Sequence, residues 1–258
     1  MRWLYTPLLV LAVIVTFSFR TPRAYAVAYP TRVGTDAAQY FASSDPWTMA
    51  MTVPSTGQNR ALVCVVGIGG AGGAPTSMTW NGTGMTKIID GTTLPAQQQT
   101  DGVMFYLANP TAATANVVAN WGSNKQGFLI CATFQDMHQT SGTVIDASGQ
   151  ANTAAGTSIS KQITTATDGD VIITWFGIGS TASAHTPGGG QSLIASVLES
   201  NIDAGASDIG QTTAGNITTS WSWTTAASGD LFAVALKYQA PTASAAASPP
   251  PLEQIWIF

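Results

Sequence analysis

The sequence predicts an all-β fold, an antiparallel two-sheet sandwich of jelly-roll type, on three observations. First, four short apolar runs stand out: Arg60–Ile68, Phe128–Phe134, Val171–Ile178 and Leu231–Leu236. The first is too short for a typical helix, carries Val63, Cys64, Val65 and Val66 at its centre, and ends in the breakers Gly67, Gly69 and Gly70. It reads as a strand buried on both faces, and the other three look the same. Second, further strand-like segments recur at intervals of about 8 to 12 residues between turn signals. Third, no amphipathic helix of ordinary length separates them, which argues against an α/β fold.

Taken in order, Val27 to Gly34 is a lead-in containing Pro30. Pro46 to Val53 alternates strictly, with Trp47, Met49, Met51 and Val53 on one face, as a half-buried strand does. Pro54 to Asn59 turns into the first apolar run. Ser77–Asn81 and Met85–Ile89 form a hairpin around Asn81-Gly82-Thr83-Gly84. Thr92 to Gly102 is a Gln-rich loop. Val103–Ala108 and Ala115–Trp121 are strands, whereas Gln135 to Gly156 is polar and turn-rich. Ser158–Ile163, Ser192–Leu198 and Ile217–Trp223 add strands, and Leu231–Tyr238 is the last. Asp168-Gly-Asp170 and Ser228-Gly-Asp230 both precede apolar runs, a paired structural turn.

A chain of 258 residues accommodates one β domain, since sandwiches of about 200 to 250 residues fold as single units. We assign that domain to residues 27–240. Only 9% of residues are charged while 45% are hydrophobic, so Thr, Ser, Asn and Gln must supply the polar surface. Such surfaces suit secreted sheet proteins and virion fibres. Residues 1–26 read as a signal peptide: Met1-Arg2, an apolar stretch from Trp3 to Phe19, and Ala24-Tyr25-Ala26 as the cleavage signature. Arg20 and Arg23 place positive charge on the unusual side of that stretch, and an uncleaved anchor is the alternative; once the leader is cut, no stable membrane insertion is expected. Without the leader, Lys plus Arg fall from 9 to 6 against 13 acidic residues, a net charge of −7. A nucleic-acid partner is disfavoured, because the cations that neutralise phosphates are missing. Residues 241–258 are a Pro/Ala/Ser-rich spacer with the apolar tip Leu252–Phe258: an aberrant end, a strand given to a neighbour, or one that folds back.

From Asn59 to about Tyr238 the turn and core motifs resemble the jelly-roll-like β-sandwich modules of bacterial secreted and cell-surface proteins and of phage virion proteins. The carriers are Arg60-Ala-Leu-Val-Cys-Val-Val66, Met78-Thr-Trp-Asn-Gly82 with Met85-Thr86, Phe105-Tyr-Leu-Ala-Asn-Pro110, Phe134 with Gln139-Thr140 and Asp146, Gly169-Asp170, and Thr186-Pro-Gly-Gly-Gly-Gln191. The resemblance implies a β-sandwich in an extracellular setting and carries no catalytic residues. Cys64 and Cys131 depart from it, standing where Val or Ala is expected.

Several residues are candidates for chemistry, each with a plainer reading. Gly67-Ile-Gly-Gly-Ala-Gly72 matches a dinucleotide fingerprint, but the loop and strand signals after it are not the helix that motif needs; no cofactor is expected. Cys64 and Cys131 form a disulfide closing a loop of about 67 residues, or else remain two buried thiols. Asp136, His138, Asp146 and His185 are the binding candidates. The histidines lack metal-ligand spacing and no nucleophile elbow occurs, so neither a metal nor a catalytic residue is assigned, and solvated loop residues are the plain reading. Trp221-Ser-Trp223 places two indoles on one face, a sugar platform or, more commonly, core. The expected function is a secreted, non-catalytic surface module that binds a glycan or a surface protein through its loops. The alternatives are a self-assembling subunit of a filament or virion, and a carbohydrate-active enzyme, which would need two carboxyl groups across a cleft.

Overall fold

The computed structural model describes residues 28–69, 73–91, 100–179, 184–199 and 202–241. The leader, the tail beyond Pro241 and most of the Gln-rich stretch lie outside the described residues. The strands, in order, are β1 (Thr31–Arg32), β2 (Ala37–Ser44), β3 (Trp47–Val53), β4 (Ala61–Gly69), β5 (Ser77–Trp80), β6 (Thr83–Gly84), β7 (Thr86–Asp90) and β8 (Thr100–Ala108). They continue with β9 (Ala113–Asn120), β10 (Lys125–Gln135), β11 (Ile145–Thr165), β12 (Asp170–Ile178), β13 (His185–Pro187), β14 (Ser192–Val197), β15 (Asp203–Gln211) and β16 (Gly215–Leu236).

The fold is an antiparallel β-sandwich in which the described residues form three sheets. A central sheet runs β1-β10-β4-β8-β7, with β2 also on β10; a front sheet runs β3-β9-β5-β6; a rear sheet runs β11-β16-β12-β15-β14, with β13 on β16. The third sheet follows from the doubly buried runs, because a strand apolar on both faces needs cover on both. Successive side chains of β4 point to opposite faces. Leu62, Cys64, Val66 and Ile68 join Trp47, Met49, Met51 and Val53 of the front sheet. Ala61, Val63 and Val65 join Val171, Ile173, Trp175, Phe232 and Val234 of the rear sheet. Gly67 allows the close approach this requires: a Cβ there would stand 2.1 Å from the Trp175 ring. Gly67 is thus explained by packing, and β4 continues as strand through Gly69, beyond which residues 70–72 of the fingerprint lie outside the described residues.

The rear sheet's outer face is covered by its own hairpin. β11 and β16 pair from Ile145↔Leu236 to Thr165↔Gly215, with register shifts between Thr153 and Ser158. Past the shifts the ribbon folds back over β12, which is buried throughout. Ile159, Trp221 and Trp223 then meet Phe176, Ile178 and Leu231, with the Phe176 and Trp221 rings stacked at 5.1 Å. The paired indoles are therefore core. Ile217–Trp223 and Leu231 onward are two parts of the single strand β16, so Ser228-Gly-Asp230 lies within a strand, whereas Asp168-Gly-Asp170 turns, with Gly169 at φ 83°.

Three further differences have physical causes. Met85 is the buried corner at which the chain leaves the β5–β6 hairpin of the front sheet for β7 of the central one. β2 and β15 are not marked in the sequence: in Ala37–Ser44 Tyr40 and Phe41 are adjacent and flanked by small and polar residues rather than alternating, and Asp203–Gln211 has Ile209 as its one large apolar residue. β11 begins at Ile145, inside the stretch read as turn-rich. Cys64 and Cys131 stand directly opposite each other on β4 and β10 and are bonded, with Cα atoms 4.1 Å apart.

Candidate functional site

The four binding candidates occupy three separate places. Asp136 and His138 lie in the turn after β10. The Asp136 N–H donates to the Gln58 carbonyl at 2.9 Å, and its own carbonyl accepts from Gln239 at 2.8 Å. The His138 N–H donates to the Lys237 carbonyl at 3.0 Å, its carbonyl accepts from the Tyr106 hydroxyl at 2.5 Å, and Nδ1 accepts the Thr140 N–H at 3.3 Å. Both residues fasten this turn to the strand ends, and burial pushes the Asp136 carboxyl up.

Asp146, at the start of β11, accepts the N–H groups of Ala166 at 2.5 Å and Thr167 at 3.1 Å, closing the turn into β12. Asp170 is its neighbour in charge: Thr167 Oγ1 donates to Asp170 Oδ1 at 3.0 Å, while Asp170 Oδ2 is buried without a hydrogen-bond partner. Burial, opposed by Thr167 but reinforced by Asp146, pushes Asp170 up to about 7. Burial also works to raise Asp146, but the two N–H bonds, the neighbouring Asp170 and Lys237 together hold it below its ordinary value. The two carboxyls are thus pushed in opposite directions, Asp170 toward its protonated form and Asp146 toward its ionised form.

His185 sits on the rear sheet's outer side, its ring 5.5 Å from Phe176 and 5.7 Å from Trp221, and so is remote in role from His138. Among the described residues no three His, Cys, Asp or Glu side chains are grouped to hold a metal.

The structure assembles a different site. β1 lies at the edge of the central sheet, with Arg32 opposite Phe134 of β10, and its side chain reaches across to the rear sheet. Arg32 Nε donates to Asp208 Oδ2 at 3.0 Å, and Nη1 to Asp36 Oδ2 at 2.6 Å. Around this clamp opens a depression of about 340 Å³ lined by Tyr29, Thr31, Arg32, Ser192, Asp208 and Gly210, among others. Tyr29 is 38% exposed and lies on Gly210, where a Cβ would stand 2.1 Å from its ring. Asp208 is only 8% exposed. Burial pushes both Asp36 and Asp208 up while Arg32 pulls both down, leaving each above its ordinary value. The size and the mixture of one aromatic with a few convergent polar groups suit a small ligand or one unit of a polymer.

Sequence reasoning missed this site. Asp208 is hidden in β15, which looks like a loop, and its partner is 176 residues away. One signal was available: in a chain with so few charges, Arg32 and Asp36 stand four apart beside the aromatic Tyr29. The chain matches no family model, no curated protein and no solved structure. Function is therefore argued from the chemistry of the site.

Proposed function

We propose that the protein is a secreted, non-catalytic β-sandwich module that binds a glycan at the extracellular or cell surface. The observation that carries this reading is the Arg32 depression, which sets an exposed tyrosine ring beside a guanidinium and the Asp208 carboxyl hydrogen-bonded to it. Sugars are held by such pairs of means, an aromatic face against the C–H side of the ring and charged hydrogen-bonding groups against its hydroxyls. The compartment is supported by the leader read in the sequence and by the Cys64–Cys131 bond, since disulfides persist in oxidising surroundings.

A glycan array probed with the oxidised protein tests the reading. Binding that is lost on Tyr29→Ala, with the melting temperature kept, is the expected result; no retained glycan, or binding indifferent to Tyr29→Ala, counts against it. Turnover of a bound polysaccharide would favour the enzyme alternative, with Asp36 and Asp208 as the carboxyl pair. The subunit alternative is favoured by one observation. The 21-residue β11 lies at an edge of the rear sheet, where a strand from another copy can add. Sedimentation velocity of the whole chain against one stopped at Ala240 separates it, since an assembly strand in the tail makes only the whole chain polymerise.

A further inference from the structure

The seam opposite the Arg32 depression holds a second opening, between β7 at the end of the central sheet and β11 at the end of the rear sheet. It is a groove of about 380 Å³ whose lining includes Ile89, Asp90, Ser148, Gln150, Lys161 and Phe232. Lys161 is the unexpected member. On the folded-back part of β11 it stands between Ile159 and Ile163, both buried against the outer face of the rear sheet, and strand alternation turns all three the same way. The stem of Lys161 leaves that layer sideways across Gly149, where a Cβ would stand 2.3 Å from Lys161 Cε. The bare glycine gives it a path over β11, and Lys161 reaches the groove by it, its stem packed and its charged end toward water.

Among the described residues no carboxylate stands within ion-pairing distance of Lys161. Asp90, the other charged residue of the lining, is paired with Lys87. The groove therefore keeps one surplus positive charge, beside the uncharged hydrogen-bonding groups of Ser148 and Gln150 and an apolar wall of Ile89 and Phe232. An ammonium left without a partner is best matched by an anion, since ionic hydrogen bonds are about twice as strong as neutral ones. The hydroxyl and amide suit sugar hydroxyls, and the apolar wall suits the C–H side of a ring. We propose that this groove takes a hexuronate unit of an acidic polysaccharide, with its carboxylate at Lys161 and its hydroxyls at Ser148 and Gln150. It is a second site, apart from the Arg32 depression, and it rests on the glycan-binding reading.

The test is titration calorimetry of the whole protein with oligomers of galacturonate and of mannuronate, each beside its methyl ester, which keeps the ring and removes the charge. Salt at about 0.15 M screens repulsion from the protein's net negative charge beyond about 8 Å. At least one acid is expected to bind about tenfold more tightly than its ester, the step one well-placed ionic hydrogen bond supplies. Lys161→Met, which keeps the stem over Gly149, should remove most of that preference with the melting temperature kept. Lys161→Gln gives the same readout should Lys161→Met fail to fold. Tyr29→Ala, in the other depression, should leave the preference in place. Esters that bind as tightly as the acids, a preference indifferent to Lys161, or one abolished by Tyr29→Ala overturns the assignment while leaving glycan binding in place. Retention of neutral glycans on an array, with no binding of either acid, does the same. Binding of nothing in either assay removes both readings.

Discussion

Asp170 carries a proton that the unfolded chain would release. Its pKa is about 7 in the folded protein against an ordinary value of 3.8, so from about pH 4 to pH 7 the folded state binds more protons than the unfolded one. Stability therefore falls as pH rises through that window. Asp146 is shifted the other way, and its contribution is lost only as pH drops below the ordinary carboxylate value. Asp170→Asn, which keeps the shape of the side chain and removes the buried charge, should raise stability at pH 8 by on the order of 2 kcal/mol and change little near pH 4. Thermal melts across this range check it, and a stability that climbs from pH 4 to 7 would contradict the assignment. Gly67 supplies a second expectation. Gly67→Ala forces a methyl group into the Trp175 ring and should cost about 1–3 kcal/mol. Gly84→Ala, with nothing within 4 Å of the added Cβ, should stay within about 0.5 kcal/mol. Urea denaturation of the two variants measures the contrast.

At the scale of elements, the bond between β4 and β10 cross-links strands 67 residues apart. Replacing both cysteines with Ala should lower stability by up to about 4 kcal/mol in the chain-entropy account, read as a lower denaturation midpoint for the double variant. The same two strands show why some elements are legible in the sequence and others are not. β4, β10, β12 and the end of β16 are packed on both faces by large residues, so each carries a dense apolar run. β15 is just as buried, but Gly205 lies under Trp221, where a Cβ would meet the ring at 2.6 Å. The bulk that fills that space belongs to another strand, and β15 itself reads as Asp-Ala-Gly-Ala-Ser-Asp. The site suffers in the same way, because Asp208 sits on that unmarked strand, whereas Tyr29, Arg32 and Asp36 were visible as residues but not as neighbours of Asp208. The candidates that stood out instead, Asp136, His138 and Asp146, hold turns together through backbone groups, a role that leaves the same polar residues in the same loops.

For the whole molecule, layering sets a hierarchy of protection. β4, β10 and β12 are covered on both faces and paired on both sides, so their amides should exchange slowest, at the free energy of global unfolding. β7 and β14 are edge strands with half-exposed faces and should exchange orders of magnitude sooner. Hydrogen exchange followed by mass spectrometry distinguishes this from uniform protection. The Arg32 clamp joins the edge of the central sheet to the rear sheet, so the site lies on the seam of the sandwich, and occupancy should slow exchange on both sides of it.

The layers also follow the order of the chain. Among the described residues the central and front sheets are complete by Gln135, whereas the rear sheet is built from Ile145 onward and includes as an inner strand β16, the last described strand, which pairs with β11, β12 and β13. During synthesis the first half can close while the face made by Val63, Val65, Tyr106 and Phe134 still lacks its cover. β12 supplies Val171, Ile173 and Trp175 to that cover, but it is complete only once Phe232, Val234 and Leu236 of β16 have been made. A nascent protein with an uncovered apolar face is the kind of client that needs a holding chaperone or an unfolded route of export, and a stop codon anywhere within β16 would leave it in that condition permanently.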